Sequence, residues 1–260
     1  RRPGVLERGP PGDDMGPGDG PELFGVLDPA EGDKGLHIAL VGPPGVLVVD
    51  VGEPDGGSGH IREVLELLRD NGQLQGVRTR DSEGTCSTLE CRTAVLCSGA
   101  WSAQLLPELP VFPVKGQMLS LQTPRGALRR VIFGPGTYMV PREDGLVVVG
   151  ATSERDAGFN EGLTPQGQTT LKQGIAALFP DAVSWPPMER WWGFRPCTPD
   201  EGPLLGPGPI KGVLLACGHH RNGVLMAGAT AELIADLASG TTPQSDLAAL
   251  LPRFRWNRWD

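Results

Sequence analysis

The fold of this chain is decided by one stretch of its sequence, Leu214-Leu215-Ala216-Cys217-Gly218-His219-His220-Arg221-Asn222-Gly223-Val224-Leu225. The apolar run predicts a strand over residues 214–216, and Gly218 and Gly223 bracket a tight turn. Over residues 224–238, apolar side chains at Leu225, Ala229, Ile234 and Leu237 recur with helical spacing. A strand that turns into a helix in this way presents free backbone N–H groups, which favour an anion or a carbonyl oxygen.

A second apolar run precedes this stretch and also presents one arginine, in Gly193-Phe194-Arg195-Pro196. Arg221 lies in the glycine turn itself. A guanidinium group binds a carboxylate through two parallel hydrogen bonds. The two arginines beside such a turn therefore predict a site for a small carboxylate next to a cofactor.

Composition excludes several classes of protein. The 260 residues carry a formal net charge of −8, without a basic cluster, which argues against nucleic acid as a partner. The apolar runs are too short to span a bilayer. The five cysteines have no metal-ligand spacing, which predicts reduced thiols in a cytoplasmic protein; they are Cys86, Cys91, Cys97, Cys197 and Cys217.

Residues 1–60 are rich in glycine and proline, so we expect this segment to be largely irregular. A buried strand over residues 45–51 is the one exception that its apolar run allows. Because the first residue is Arg1 rather than methionine, we also expect the chain to be a fragment of a longer product.

From Ile61 onward the pattern is that of a globular protein. Asn71-Gly72 predicts a hairpin between strands at residues 61–69 and 73–80. Further strands are expected near residues 88–97, 111–121, 131–133, 138–141 and 146–150. Thr164 and Pro165 predict the start of a helix that Pro180 ends. This order indicates a mixed fold in which a long, mostly antiparallel sheet carries a few helices.

Six motifs in this part of the chain resemble the FAD-dependent amino-acid oxidases of the D-amino-acid oxidase superfamily, and most closely the glycine oxidases of thiamine biosynthesis. They occur in family order and cover roughly three quarters of the chain. The motifs are VLCSGAWS (residues 95–102), PVKGQM (113–118), YMVPR (138–142), VVGAT (148–152), WGFRP with TPD (192–200) and GHHRNG (218–223).

The resemblance implies an α+β fold: a large, mostly antiparallel substrate-domain sheet with the remaining part of an FAD-binding α/β (Rossmann-like) domain. Residues 111–189 would form the substrate-binding domain, and residues 61–110 with 190–260 the residual FAD-binding domain. In such enzymes the arginine equivalent to Arg195 holds the substrate carboxylate, and Tyr138 and Arg221 complete the pocket.

The same resemblance implies the residues that contact the FAD cofactor. Those expected at the flavin are Ser98, Gly99, Ala100, Gly218, His219, His220, Arg221, Asn222, Gly223, Val224 and Leu225, with Ile61 on the adenine side. The family's Gly-x-Gly-x-x-Gly loop, which cradles the pyrophosphate, has no counterpart here. Its nearest candidate, Leu40-Val41-Gly42-Pro43-Pro44-Gly45, contains two prolines that lack N–H donors. FAD binding by this chain alone is therefore in question.

The chemistry implied is oxidative deamination of glycine or a similar small amino acid by hydride transfer to flavin N5. The products are an imino acid, which hydrolyses to an oxo acid and ammonia, and hydrogen peroxide formed from oxygen. In this reaction the protein's contribution is to place the substrate, and no general base is required if the amine enters neutral. A homo-oligomer is compatible with the sequence.

Other functions fit parts of the pattern. A sarcosine, proline or D-amino-acid oxidase or dehydrogenase of the same superfamily would use the same motifs, and a truncated remnant that cannot hold FAD would retain them without activity. Arg195 and Tyr138 also have ordinary structural alternatives, as an ion-pair partner and as a packed strand residue. His219 and His220 are adjacent on a turn and point apart, so we expect no metal site.

Overall fold

The computed structural model describes residues 38–41, 63–124, 126–243, 246 and 248–260. In chain order, the strands are β1 (Ile38–Val41), β2 (Glu63–Asp70), β3 (Gln73–Arg80), β4 (Cys86–Glu90), β5 (Thr93–Leu96), β6 (Phe112–Gln122), β7 (Ile132–Gly134), β8 (Thr137–Pro141), β9 (Leu146–Gly150), β10 (Pro187–Cys197), β11 (Leu204–Pro207) and β12 (Val213–Cys217). The α-helices are α1 (Ser102–Leu105), α2 (Pro165–Leu178), α3 (Gly223–Ala238) and α4 (Leu251–Phe254).

These strands form three sheets, and the fold is α+β as expected. A four-stranded sheet has the order β1-β5-β12-β11, in which β1, β5 and β12 run parallel and β11 is antiparallel. A five-stranded antiparallel sheet has the order β10-β6-β9-β8-β7, and a three-stranded antiparallel sheet has the order β2-β3-β4. After the roles that the resemblance implies for them, we call the first the cofactor-side sheet and the second the substrate-side sheet.

The cofactor-side sheet is covered on both faces. On one face its buried side chains, such as Leu96 and Leu215, share a core with Leu67, Leu74 and Val77 of the three-stranded sheet. On the other face Val95 and Leu214 pack against Ile234 of α3. Parallel strands that are buried on both faces are continuous apolar runs, which explains the sequence of β5 and β12.

The substrate-side sheet is covered by α2. Leu171 and Ile175 of this helix share a core with Leu119, Met139 and Val149 of the sheet. The helix begins as the sequence predicts: the Thr164 side chain accepts a hydrogen bond from the Gly167 N–H, and Pro165 is the first helical residue. An N-terminal cap of this kind satisfies one of the donors that a helix start leaves free.

Several local expectations are confirmed. The β2–β3 hairpin turns at Asn71 and Gly72, which have φ values of +47° and +76°. The helix after the glycine turn begins at Gly223, one residue earlier than expected. Its expected apolar face is only partly correct: Ile234 is buried, but the Leu225 side chain is 85% exposed.

Strand β1 lies within the segment that the sequence indicates as largely irregular. It pairs in parallel with β5, with Ile38 opposite Thr93. The strand expected over residues 45–51 lies outside the described residues. Within the described ranges, no helix is long and apolar enough to cross a membrane.

Candidate functional site

Arg195 lies on β10, which pairs in register with β6. In this register Arg195 is opposite Val114, and Gly193 is opposite Gly116. The guanidinium group lies directly over Gly116: a Cβ atom at that position would come within 2.3 Å of Arg195 Nη1. The Nη1 atom also donates a hydrogen bond to the carbonyl oxygen of Thr152, at 3.2 Å. A glycine in the neighbouring strand therefore makes the space in which this side chain lies.

A glycine in the neighbouring strand also makes the space for Tyr138 of β8. It is opposite Gly150 of β9, and a Cβ atom at Gly150 would lie 2.4 Å from the tyrosine hydroxyl oxygen. The ring of Phe133 lies beside that of Tyr138, with 5.9 Å between the ring centroids. Residues 138 and 195 are therefore both held across glycine positions of the substrate-side sheet.

Arg221 lies in the turn between β12 and α3, and it acts electrostatically on Arg195. Burial lowers the pKa of Arg195 most, the positive charge of Arg221 lowers it further, and Tyr138 opposes this effect. The structure thus brings together the three residues that the resemblance assigns to the substrate. Among the described residues, no carboxylate lies within 4.0 Å of either guanidinium group. Arginine stays protonated in proteins, so this site has an excess of positive charge.

A buried polar network holds the Thr152 carbonyl that Arg195 contacts. The N–H of Gln117 donates to Thr152 Oγ1 at 2.8 Å, and the N–H of Thr152 donates to the Gln117 carbonyl at 3.1 Å. The Gln117 amide donates to Glu154 Oε1 at 2.8 Å and to Thr164 Oγ1 at 2.7 Å, and accepts from the Thr164 N–H at 3.0 Å. The start of α2 is therefore linked to Arg195 through one glutamine.

The turn after β12 is fastened to β10. The N–H of His220 donates to the Pro196 carbonyl at 2.8 Å. Gly218 has a φ of +74°, and a Cβ atom there would lie 2.8 Å from the Thr198 side chain. His219 Nε2 is 3.1 Å from Thr230 Oγ1 of α3, and burial lowers the pKa of this histidine. The turn that carries Arg221 is thus fixed relative to the strand that carries Arg195.

Two turns meet at one edge of the cofactor-side sheet. Since β5 and β12 are parallel neighbours, their carboxyl ends, with Ser98 and Gly218 directly after them, lie at the same edge. In open α/β sheets ligands bind at this edge. The first turn is held by Ser102 Oγ, which donates to the Gly99 carbonyl at 2.8 Å, and Gly99 has a φ of +55°.

The start of α3 at this edge fits a flat, largely apolar group with polar oxygens. Asn222 precedes the helix without a capping hydrogen bond from its side chain. The first N–H groups of a helix have no partner within it. Beside them, the side chains of Val224 and Leu225 are 93% and 85% exposed. Free donors next to exposed apolar surface suit a flavin ring with its carbonyl oxygens.

The expected adenine contact and most of the phosphate-loop candidate lie outside the described residues. Ile61, expected on the adenine side, lies outside the described residues. Of the nearest phosphate-loop candidate, only Leu40 and Val41 are described, at the end of β1. They lie in the strand beside β5.

Cys197, Glu201 and His220 form a cluster whose ligand atoms lie within 4.8 Å of one another, a spacing that could hold a metal ion. Arg155 already contacts this cluster: its Nη2 donates to Glu201 Oε1 at 3.0 Å and to the Cys197 sulfur at 3.5 Å. Burial raises the pKa of the Cys197 thiol, which opposes the thiolate form that binds metals. The expectation of no metal site remains a prediction.

The sequence alone assigns no role to Gly116, Gly150, Gln117 or Thr152, although the motifs PVKGQM and VVGAT contain them. A glycine inside a strand indicates that another group approaches the backbone closely there, and Gly116 and Gly150 are both such positions. Gln117 has no such local signal, because its partners, Thr152 among them, are 35 to 51 residues away in the chain.

A mixed sheet whose strand ends form a ligand-binding edge, together with an antiparallel sheet that carries Arg195, is the arrangement that the resemblance implies for an FAD-dependent oxidoreductase. The chain belongs to the FAD dependent oxidoreductase (DAO) family, whose model matches residues 55–237.

Its relatives include the bifunctional protein ThiO/ThiG of Synechocystis sp., which is 43% identical over 205 residues, or 71% of this chain and 31% of that protein. The glycine oxidase of Pseudomonas aeruginosa is 38% identical over 74% of this chain and 53% of its own length. The crystal structure of glycine oxidase from Geobacillus kaustophilus is similar with a TM-score of 0.65 and 32% identity, covering 76% of this chain and 52% of that one. The chain therefore spans about half or less of the length of these relatives.

Proposed function

We propose that the enzyme to which this chain belongs oxidises a small amino acid, glycine or a similar amine, with FAD as the electron acceptor. The imino acid formed would hydrolyse to an oxo acid and ammonia, and oxygen would become hydrogen peroxide. One observation supports this proposal: Arg221 and Tyr138 act electrostatically on the half-buried Arg195, and no described carboxylate lies within 4.0 Å of either arginine. A half-buried guanidinium group without a carboxylate partner, with a second positive charge acting on it, favours an anion, and a substrate carboxylate would supply one.

The role of this chain's own residues is to bind and orient the substrate. The guanidinium fork of Arg195 would take both carboxylate oxygens, which fixes the position of the adjacent α-carbon. Arg221, on a turn fastened to β10 through the Pro196 carbonyl, would add the second positive charge. Correct placement of reacting atoms lowers a barrier by several kcal/mol.

The second half of the site would hold the flavin. FAD, when bound, accepts the electron pair that leaves the substrate. The start of α3 offers free N–H groups and a positive dipole end, both of which favour negative charge on the adjacent ring. Val224 and Leu225 would supply apolar contact.

The test of this proposal is Arg195→Ala in the complete enzyme, with steady-state kinetics and flavin absorption measured together. Removing one partner of a buried charged pair costs about 2–5 kcal/mol. We therefore expect kcat/KM to fall roughly 30-fold to 4,000-fold, mainly through KM, while the flavin absorption band is retained. A panel of glycine, sarcosine, proline and D-alanine, with oxygen consumption followed, identifies the amine and the electron acceptor.

Arg190 provides the matched control, because it lies on the same strand with an exposed side chain. Arg190→Ala should leave the kinetics unchanged within a factor of two or so. Arg195→Lys retains the charge but loses the fork, and should be intermediate. Wild-type kinetics in Arg195→Ala would remove Arg195 from the site and contradict the proposal.

A further inference from the structure

His220 has an unusual backbone conformation. Three described residues other than glycine have positive φ, and one of them, Asn71, belongs to the β2–β3 hairpin turn, where such a conformation is ordinary. The other two are His220, with φ of +51°, and Glu201, with φ of +61°. These two residues are neighbours, with 3.6 Å between His220 Nδ1 and Glu201 Oε2. Strained residues that persist together point to function.

The His220 ring is buried without a hydrogen-bond partner. Its side chain is 6% exposed, and Nε2 has no partner among the described residues. The separation of 3.6 Å from Glu201 is too long for a hydrogen bond at Nδ1. A buried polar atom that is left unsatisfied destabilises a protein by about 1–3 kcal/mol. A ligand that contacts Nε2 would remove this cost.

The ring lies beside the end of β10, the strand that carries Arg195. Alternate residues of a strand face the same side, so Cys197, which is close to His220, is on the same face of β10 as Arg195. The charged groups that act on the ring come from every neighbouring element: Glu201 after β10, Arg221 in its own turn, Arg195 on β10 and Arg155 after β9.

Near neutral pH, the uncharged imidazole of His220 can accept a hydrogen bond. Burial lowers the pKa of His220 most, Glu201 opposes this, and Arg221, Arg195 and Arg155 lower it further. The neutral ring has one N–H and one free lone pair. The Glu201 carboxylate near Nδ1 favours the tautomer with the proton there, which leaves the Nε2 lone pair free.

Resting on the proposed function, we propose that His220 Nε2 accepts a hydrogen bond from the substrate's amino group and so selects amino acids over carboxylic acids that lack an amine. The arginine pair recognises the carboxylate that both kinds of molecule share. The amino group of an α-amino acid is one carbon away from that carboxylate, and it needs an acceptor in a site otherwise dominated by donors.

The experiment compares glycine with acetate as ligands of the 260-residue chain, through NMR titration of its arginine Nε–H and tryptophan indole signals. Wild type should bind glycine roughly 10- to 100-fold more tightly than acetate near neutral pH, the range for hydrogen bonds to charged groups. This preference should disappear in acid, because a protonated ring donates from both nitrogens and repels an ammonium group.

Two substitutions distinguish the loss of the hydrogen-bond acceptor from the loss of the titrating group. Both introduce a residue that tolerates positive φ. His220→Gly removes the acceptor, so acetate should bind as before and glycine no better than acetate. His220→Asn retains an acceptor oxygen that does not titrate, so the preference should persist and become independent of pH. The asparagine variant also serves as the test if the glycine variant does not fold.

The outcomes are distinct for the two proposals. A tenfold glycine preference that survives in His220→Gly would overturn the assignment of the amino-group acceptor while leaving the arginine site intact. A pH-dependent preference that persists in His220→Asn would contradict it as well, as would a preference in His220→Gly that has lost only its pH dependence. Failure of acetate to bind wild type would overturn the proposed carboxylate site itself, and the amine acceptor with it.

Discussion

The substrate-side sheet and the cofactor-side sheet hold their functional groups in different ways. Arg195 and Tyr138 lie across glycines of neighbouring strands, and Arg195 is fixed by a buried network that runs through Gln117. At the cofactor edge, by contrast, an uncapped helix start presents Val224 and Leu225 to solvent. The first region has its geometry built in, whereas the second presents surface that a ligand would cover. Carboxylate binding should therefore survive changes that abolish flavin binding.

The largest effect is expected from Gln117→Met. The substitution removes the side-chain amide that donates to Glu154 and accepts from the Thr164 N–H, which should lower the free energy of unfolding by about 3 kcal/mol. The backbone bonds between Gln117 and Thr152 persist, but Glu154 Oε1, which the Gln117 amide holds, also accepts a hydrogen bond from Thr152 Oγ1. A shift of Glu154 should therefore move the Thr152 carbonyl that Arg195 contacts, and acetate affinity should fall as well. Denaturant unfolding and acetate titration measure the two effects. Gln122→Met, at the exposed end of the same strand, should change neither. Unaltered acetate affinity in a folded Gln117→Met would break the proposed link.

Gly116→Ala should move the Arg195 guanidinium without changing its charge. The added Cβ would lie 2.3 Å from Nη1, so the side chain must leave its position. We expect a loss of about 2 kcal/mol in acetate binding, which is roughly 30-fold.

The control for this substitution lies directly opposite in the sheet. Gly193 pairs with Gly116, but a Cβ atom at Gly193 would have no heavy atom within 4 Å. Gly193→Ala should therefore bind acetate like wild type. Equal losses in the two variants would mean that strand propensity, rather than the guanidinium position, is responsible.

Arg258→Ala should destabilise the cofactor-side sheet without affecting the carboxylate site. This guanidinium donates to both Asp200 oxygens, at 2.8 and 2.6 Å, and to the Pro203 carbonyl just before β11 at 2.9 Å. We expect a loss of about 1.5 kcal/mol, or about 3–6 °C in Tm, with unchanged acetate affinity. Arg253→Ala, on α4 with an exposed side chain, is the control. Weaker acetate binding in Arg258→Ala would show that the two regions are coupled.

The smallest effect concerns pH. Burial lowers the pKa values of His219 and His220 below the ordinary value of 6.5. The unfolded chain then binds more protons than the folded one, so stability is complete above about pH 6.5 and falls as the pH drops through the folded-state values. Tm should be lower near pH 5.5 than near pH 7.5, and less so in His219→Asn with His220→Asn. An identical acid loss in that double variant would assign it to other groups.

Local patterns predicted much of the fold. The Asn71-Gly72 turn, the Thr164-Pro165 helix start and the strand before Gly218 all arise from preferences of adjacent residues, and the structure has each of them. Strand β1 was not predicted, since four residues, Ile38–Val41, within a glycine- and proline-rich segment have too short a pattern.

The sequence led to the principal residues of the candidate site but not to what holds them. Motif resemblance pointed to Arg195, Arg221 and Tyr138, whose roles stay predictions, and in the structure the other two act electrostatically on Arg195. Which residue lies under Arg195 depends on the register between β6 and β10, which local sequence does not determine. For Leu225 a local pattern was misleading: its helical spacing predicts a buried position, but the residue lies exposed at the cofactor edge.

The two adjacent residues Gly116 and Gln117 have a consequence for how substrate preference evolves in such enzymes. One faces the guanidinium group, and the other faces the helix on the far side of the sheet. Mutations near the start of α2, at Thr164 or Gly167, could therefore shift the arginine by a fraction of an ångström while every pocket-lining residue stays the same. Two homologues with identical pockets could thus differ in the acids they prefer, and alignments restricted to the pocket would miss the cause.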